Sequence, residues 1–290
     1  MKKKVLFGQR WAFEGYLPGE IKEGLQGFAL RKTLFSKQSR YQRIDIVETV
    51  GFGRMLFLDG FVQLSTRFEA VYHEMLVHPA LCSHARPDRV LVIGGGDGGA
   101  LREILKHPVK EVTLVEIDQE VIKASQKYLR AVCRNAFQDP RVRIFIDDGM
   151  HFIKTCISMF DCIVSDLTDP DGSISRALFT KLFFLRAKRA LRKHGILATQ
   201  TGYVSDDFGQ EVRRQMRAVF PDFQIHKAFV NHFPTWEHSF SFGSSHGVFS
   251  KLSENEIALR FHKRKLHARY YTPQIHFASK VFPPFLKSKL

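Results

Sequence analysis

A Rossmann-like α/β fold of the methyltransferase type, a parallel sheet with helices on both faces, is predicted for most of this chain by three observations. A short apolar run, Val90 to Ile93, leads into the glycine-rich turn Gly94-Gly-Gly-Asp-Gly-Gly99 and then a helical pattern. From there strand-like and helix-like segments alternate to the end of the chain. Acidic residues recur where those strands should end, the rim on which such sheets bind ligands. A small N-terminal β domain over residues 1–75, with a basic leader, is expected to precede a catalytic-type domain and tail over 76–290.

Within the first part, residues 41–65 read as a small β unit. Ile44 and Ile46 alternate with polar residues, Gly51-Phe-Gly53 supplies a turn, and Asp59-Gly60 separates two further apolar runs. From Phe68 to Cys82 the period becomes helical. Strands are then expected at 89–93, 111–116, 142–146, 160–165, 195–200, 223–229 and 237–243, with helices over 98–106, 118–129, 148–157, 178–191 and 206–218.

Composition narrows the classes. The 290 residues contain no apolar run long enough for a membrane span, and the Lys2-Lys-Lys4 start lacks the apolar core of a signal peptide. A cytoplasmic protein is expected. Cys82, Cys133, Cys156 and Cys162 form no C-x-x-C pair and read as buried small hydrophobes. His73 and His78 are five apart, whereas a zinc-protease helix needs ligands at i and i+4, so no metal is expected. The net charge of +15 is concentrated at the two ends, with nine Lys/Arg against three acids in residues 1–40 and nine against two in 251–290. Nucleic acid is therefore not the expected partner, although a polyanion contact through Lys263-Arg-Lys265 stays open beside a solvated basic surface.

The glycine loop fits two templates. Gly94, Gly96 and Gly99 match a dinucleotide fingerprint, while Gly94, Gly96 and Gly98 match the loop of enzymes that bind S-adenosylmethionine. Asp97 discriminates, because a carboxylate there repels both a pyrophosphate and a methionine carboxylate and suits an amine. Capping of the next helix is the plainer role for the same residue. Glu116, about 20 residues on, is placed for ribose hydroxyls, and Asp148 for an adenine amino group. With Asp118, Asp147, Asp166, Asp169 and Asp171, eight carboxylates are expected on one rim. So many like charges call for a counter-charge, and without a His or Cys ligand set an organic cation is favoured. Asp166-Leu-Thr-Asp-Pro170 is the candidate reactive piece, with an Asx-turn as its alternative.

Together these segments resemble the polyamine aminopropyltransferases, the spermidine synthase family, from about Tyr41 to the C-terminus. The matching residues are Tyr41-Gln42, Leu58-Asp-Gly60 with Gln63, Tyr72-His-Glu74, Gly94 to Gly99 with Leu101-Arg-Glu103, Glu116-Ile-Asp118, Asp148-Gly149, Asp166-x-Thr-Asp-Pro170 with Leu178-Phe179, Gln200, and Tyr270-Tyr-Thr-Pro273 with His276. The resemblance implies decarboxylated S-adenosylmethionine as a co-substrate, no tightly bound cofactor, and a putrescine-like diamine as acceptor. It gives the donor to Gln42, Gly94, Gly96, Asp97, Glu116, Asp148 and Gly149, the amines to His73, Asp97, Asp166, Asp169 and Gln200, and proton transfer to Asp166 helped by Tyr72. It also implies a homodimer or homotetramer joined through the N-terminal β unit.

Three departures from the family pattern fall on the acceptor side. Phe68 stands where an aspartate is usual, Phe233-Pro-Thr-Trp236 replaces a tyrosine-containing loop, and Ser173 with one extra residue replaces a proline-containing gate. A changed amine acceptor is thus one alternative expectation. An S-adenosylmethionine-dependent methyltransferase and a binding protein on the same fold are two others.

Overall fold

Two sheets organise the chain. The computed structural model describes residues 1–6, 8–13, 26–168, 173–233 and 237–290. The first sheet is an antiparallel meander of β1 (Lys2–Leu6), β2 (Gln9–Phe13), β3 (Gly27–Gln38), β4 (Arg43–Thr49), β5 (Arg54–Leu58) and β6 (Phe61–Ser65). It starts well before Tyr41, where the sequence pattern first shows a strand. In the second half of β3 the basic residues Lys32 and Lys37 interrupt any simple alternation. That half is held as a strand by pairing along β4, from Lys32 opposite Glu48 to Gln38 opposite Arg43. The expected turn at Asp59-Gly60 is present, with φ of 49° and 92°, the two positive values that a two-residue hairpin of matching twist requires.

One face of this sheet buries Phe28, Leu30, Val47, Met55 and Phe57 together. The other sets Ile44, Ile46, Leu56 and Leu58 against Val121, Ala124, Leu129 and Val132 of the following domain. The meander is thereby docked over the ends of the second sheet's strands. The chain then enters α1 (Glu69–Ser83), buried along nearly its whole length and packed on the second sheet and on helix Gly99–Leu105; residue 75 lies inside it.

The second sheet has the order β12-β13-β11-β10-β7-β8-β9, built from β7 (Arg89–Gly94), β8 (Glu111–Glu116), β9 (Val142–Ile146), β10 (Phe160–Asp166), β11 (Leu191–Tyr203), β12 (Asp222–Ala228) and β13 (His238–Ser244). Strands β7 to β11 are parallel, as expected. Strand β13 is reversed, running antiparallel to both β11 and β12, while β12 keeps the direction of β11. A parallel crossover needs about a dozen residues or more, and the link from Ala228 to His238 is too short for one. Strand β11 also starts at Leu191 rather than 195, directly after the helix, and passes through His194 at φ 65°.

The helices are α2 (Gly99–Leu105), α3 (Gln119–Tyr128), α4 (Arg130–Cys133), α5 (Gly149–Ile153), α6 (Ser173–Arg176), α7 (Lys181–Ala190), α8 (Asp207–Arg217), α9 (Glu254–Lys263) and α10 (Pro273–Ala278). Side chains alternate across the sheet and both faces are covered. Val90, Val92, Cys162 and Val164 join the α1/α2 layer, whereas Leu91, Ile93 and Ile163 join the α7/α8 layer. All four cysteines are free and buried, as their isolated spacing suggested. Among the described residues no helix is long and apolar enough to cross a membrane.

Candidate active site

The carboxyl ends of β7, β8, β10 and β11 meet the underside of the N-terminal meander around a cavity of about 510 Å³. Its glycine-loop side is lined by Gln42, Gly94, Gly96, Asp97, Glu116, Asp148 and Gly149, and an aromatic side, which meets the loop at Asp166, by Tyr72, Asp166, Gln200, Tyr203, Phe233 and His238.

On the glycine-loop side the backbone must come close. A Cβ on Gly94, whose φ is 79°, would stand 2.1 Å from the carbonyl oxygen of Asp166, and one on Gly96 would stand 2.8 Å from Glu116 Oε2. Glu116 Oε1 accepts the N–H of Asp118 at 2.9 Å, and burial pushes this carboxyl up to about 7. Asp148 caps α5 by accepting the N–H of His151 at 3.0 Å. Asp97 Oδ1 accepts the N–H of Gly99 at 2.6 Å, so its local backbone role and its exposure to the cavity coexist.

Behind Asp97 stands His73, 1 % exposed and outside the cavity lining. Its Nδ1 is 2.7 Å from Glu69 Oε2 and its Nε2 is 3.4 Å from Asp97 Oδ1. Burial works against its charge, yet Asp97 and Glu69 hold the imidazole well above its ordinary range. Burial likewise works against Asp97, and His73 and the Gly99 N–H hold that carboxyl low. An amine reaching this corner therefore meets Asp97 rather than the His73 ring.

Asp166 ends β10 opposite Gly94 in the sheet register. Its Oδ2 is buried without a hydrogen-bond partner among the described residues, and a Cβ on Gly95 would be 3.1 Å from it. Burial first, and then the nearby Asp97, push the carboxyl up to about 7, against the pull of His73 and a hydrogen bond with Tyr72. One donor atom from each of His73, Asp97 and Asp166 lies within 4.8 Å of the others. A metal there would have to displace His73 from between its two carboxylates.

Of the eight acids expected on the rim, four line the cavity: Asp97, Glu116, Asp148 and Asp166. Asp118 turns aside, capping α3 and accepting bonds from Ser39 Oγ at 2.6 Å and Gln42 Nε2 at 3.2 Å. Asp147 pairs with His151 at the surface. Asp169 and Asp171 lie outside the described residues, as does Trp236. One of these neighbours is a helix cap and the other a surface ion-pair partner, and strand-end position alone does not distinguish such acids from one that faces the cavity.

The departures also separate. Phe68 packs on Phe52 with ring centroids 5.6 Å apart and does not line the cavity. Phe233 does line it, within an aromatic wall. Its ring is 5.9 Å from Tyr72 and stacks on His238 at 5.4 Å. The side chain of Ser173 is outside the described set, while Ser175 reaches the cavity. Gln200 Nε2 donates to the Leu167 carbonyl at 3.3 Å, and its Oε1 accepts the Gly202 N–H at 2.7 Å.

Sequence reasoning missed Tyr203 and His238 as cavity residues, since each is brought there from an element with no local motif, and Asp59, legible as a hairpin residue, also lines the cavity. The Tyr270-Tyr-Thr-Pro273 segment, by contrast, is away from the cavity. The N–H groups of Arg269, Tyr270 and Tyr271 all donate to Glu74 at 2.7 to 2.8 Å, tying the C-terminal segment to α1.

Comparison with known proteins agrees with this architecture. Residues 69–253 match the family model of the spermine/spermidine synthase domain, and residues 19–66 that of the spermidine synthase tetramerisation domain. The polyamine aminopropyltransferase of Korarchaeum cryptofilum is 40% identical over 252 residues, covering 86% of this chain and 78% of the relative. That of Clostridium tetani is 37% identical over 273 residues, covering 93% and 95%. A crystal structure of a spermidine synthase in complex with the transition-state analogue AdoDATO superposes with a TM-score of 0.89 at 32% identity, over 96% of this chain and 94% of that one.

Proposed function

The chain belongs to the spermine/spermidine synthase family and is a polyamine aminopropyltransferase, and on that premise we propose that it moves the aminopropyl group of decarboxylated S-adenosylmethionine to a putrescine-like diamine. The observation that carries this reading is a pair of acids in one cavity, with carboxylate oxygens within 4.8 Å of each other. Asp97 is held ionised, and Asp166 has a carboxyl raised to about 7 and an oxygen without a hydrogen-bond partner among the described residues.

The chemistry requires that pair. An alkylamine with a pKa of about 10 is free base in roughly one molecule in a thousand at neutral pH, and its cation has no lone pair with which to attack. Asp166, supported by Tyr72, takes a proton as the amine nitrogen attacks the carbon next to the sulfonium. The new C–N bond forms, the C–S bond breaks, and its electron pair goes to sulfur. The products are the aminopropylated amine and neutral methylthioadenosine, and the proton passes from Asp166 to solvent. Alignment of the two reactants supplies much of the rate.

Gln42, Gly94, Gly96, Glu116, Asp148 and Gly149 hold the nucleoside part of the donor, and Asp97 its amine, which favours the decarboxylated donor over intact S-adenosylmethionine. Asp169 and Gln200 serve the acceptor, with His73 acting behind Asp97. The aromatic wall of Tyr72, Phe233 and His238 suits the methylene chain of the acceptor and makes that end of the pocket more apolar than the family pattern. The division into an N-terminal β domain and a catalytic domain, with the former joining copies into a dimer or tetramer, belongs to the same reading.

A mass-spectrometric assay with decarboxylated and intact S-adenosylmethionine and a panel of putrescine, cadaverine, agmatine and spermidine tests it. Methylthioadenosine and one aminopropylated amine are expected with the decarboxylated donor. Asp166→Asn should lower the rate by about a hundredfold or more. No methylthioadenosine with any amine, or methylation by the intact donor, would sink the reading.

A further inference from the structure

A line of buried, oppositely charged groups runs inward from the cavity through Asp97, His73, Glu69, Arg102 and Glu103. Glu69 takes Arg102 on both oxygens, at 3.1 and 2.8 Å, and the other side of that guanidinium is fixed by Glu103 at 2.7 Å and the Val132 carbonyl at 2.6 Å. The carboxylate that grips His73 is therefore immobile. So is the ring, because a Cβ on Gly99 would come within 2.2 Å of it. The sequence explains this fixity: Glu69 and His73 are one turn apart on α1, and Arg102 and Glu103 are adjacent on α2.

The charged and titratable groups facing His73 come from every side. Glu69 lies on its own helix, Asp97 on the loop after β7, Asp166 at the end of β10, and Arg102 on α2 beyond Glu69. Arg269 of the C-terminal segment is 3.8 Å from Glu69, and His232, after β12, is kept neutral by burial. The His73 ring, with Nε2 3.4 Å from Asp97 Oδ1, is the group whose charge most favours the Asp97 carboxylate against burial.

We propose that His73 is a positioning residue whose protonated ring is the resident counter-ion of Asp97, and that a cationic substrate binding at Asp97 expels that proton to solvent. This rests on the functional reading above, which supplies the cation: decarboxylated S-adenosylmethionine carries an ammonium and a sulfonium. A substrate ammonium on Asp97 would lie roughly 6 Å from the ring, where, at the effective dielectric of a protein interior, one unit charge weakens proton binding about a hundredfold. Glu69 then holds a neutral ring by the Nδ1–H, so the geometry survives the loss of charge. The binding energy of the cation is partly coupled to pH, and the same event leaves Asp166 beside a substrate cation, which favours its ionised, proton-accepting form.

The test is calorimetric titration of the full chain at pH 7 with decarboxylated S-adenosylmethionine, in phosphate and in Tris. The dependence of heat on buffer ionisation counts the protons exchanged. Release of a substantial fraction of a proton per donor is expected from the native chain, and little from uncharged methylthioadenosine. His73→Gln keeps a hydrogen-bond donor without a titrating charge and should lose the histidine's share of the release, leaving that of Asp166, while still binding. Glu69→Gln should reduce it too, and Glu69→Asp should restore it; thermal melts check that each variant folds. A purely structural role would weaken binding without changing the proton count. Binding heat with no release, or undiminished release in His73→Gln, overturns the proposal and leaves the functional reading standing. Failure of both ligands to bind overturns that reading and the proposal with it.

Discussion

On the glycine-loop side of the cavity each carboxylate is pinned by a backbone N–H two or three residues further along its own loop: Gly99 for Asp97, Asp118 for Glu116 and His151 for Asp148. On the aromatic side the neighbours are far apart in sequence. Tyr72 comes from α1, Asp166 from β10, Tyr203 from β11 and Phe233 from beyond β12, while His238 opens β13. The first kind of site is a property of short segments and tolerates little change in the segment itself. The second is held by packing, and its residues can change without disturbing the loops that meet the donor. Phe233, the departure from the family pattern whose described side chain lines the cavity, falls on this packed side.

Mutations can break or sharpen that contrast. The largest effect is expected from Gly99→Ala, whose added methyl collides with His73 and displaces Asp97. A shift of about 1 Å at the reacting groups should lower kcat/KM for both substrates by roughly a hundredfold. An unaltered rate would show that this corner is not held as tightly as the glycine loop implies. Next, Glu116→Gln should raise the KM of the donor about tenfold through loss of a charge-assisted contact, with the acceptor KM unchanged. Equal shifts in both constants would erase the division into two sides.

Asp166→Asn also has a stability signature. The folded-state carboxyl is raised to about 7 from its ordinary 3.8, so its contribution to stability is fully present below that ordinary value and is lost as pH rises through about 7. Asparagine carries no such penalty. Relative to the native chain the variant should therefore melt roughly 2–4 °C higher at pH 8 and show no gain at pH 4. A gain that does not vary with pH would assign it to packing instead. By the same carboxyl, kcat/KM of the native chain should fall as pH drops below about 7.

A smaller change is expected from Phe233→Tyr, which restores a phenol to the aromatic wall. The acceptor KM should move by a few-fold and the donor KM not at all, measured by varying each substrate in turn. Smallest is the response to salt. The +15 chain should repel a polycation, so turnover at low substrate should rise modestly as salt screens that repulsion. A falling response would mean that the acidic rim alone governs approach.

The sequence by itself determined the parallel part of the sheet, the glycine loop and the positions of Glu116, Asp148 and Asp166, because each depends on a period or spacing confined to a few residues. It determined equally the hairpin at Asp59-Gly60, where two positive φ angles admit few residue types. Only the tertiary structure decided that the basic leader pairs into the meander through β3, and that β13 inserts antiparallel between β11 and β12. It alone decided that Asp118 caps α3 and Asp147 pairs with His151, that Phe68 faces away from the cavity, and that His238 joins its wall. Those outcomes rest on contacts between segments far apart along the chain, whose register and burial no local pattern encodes.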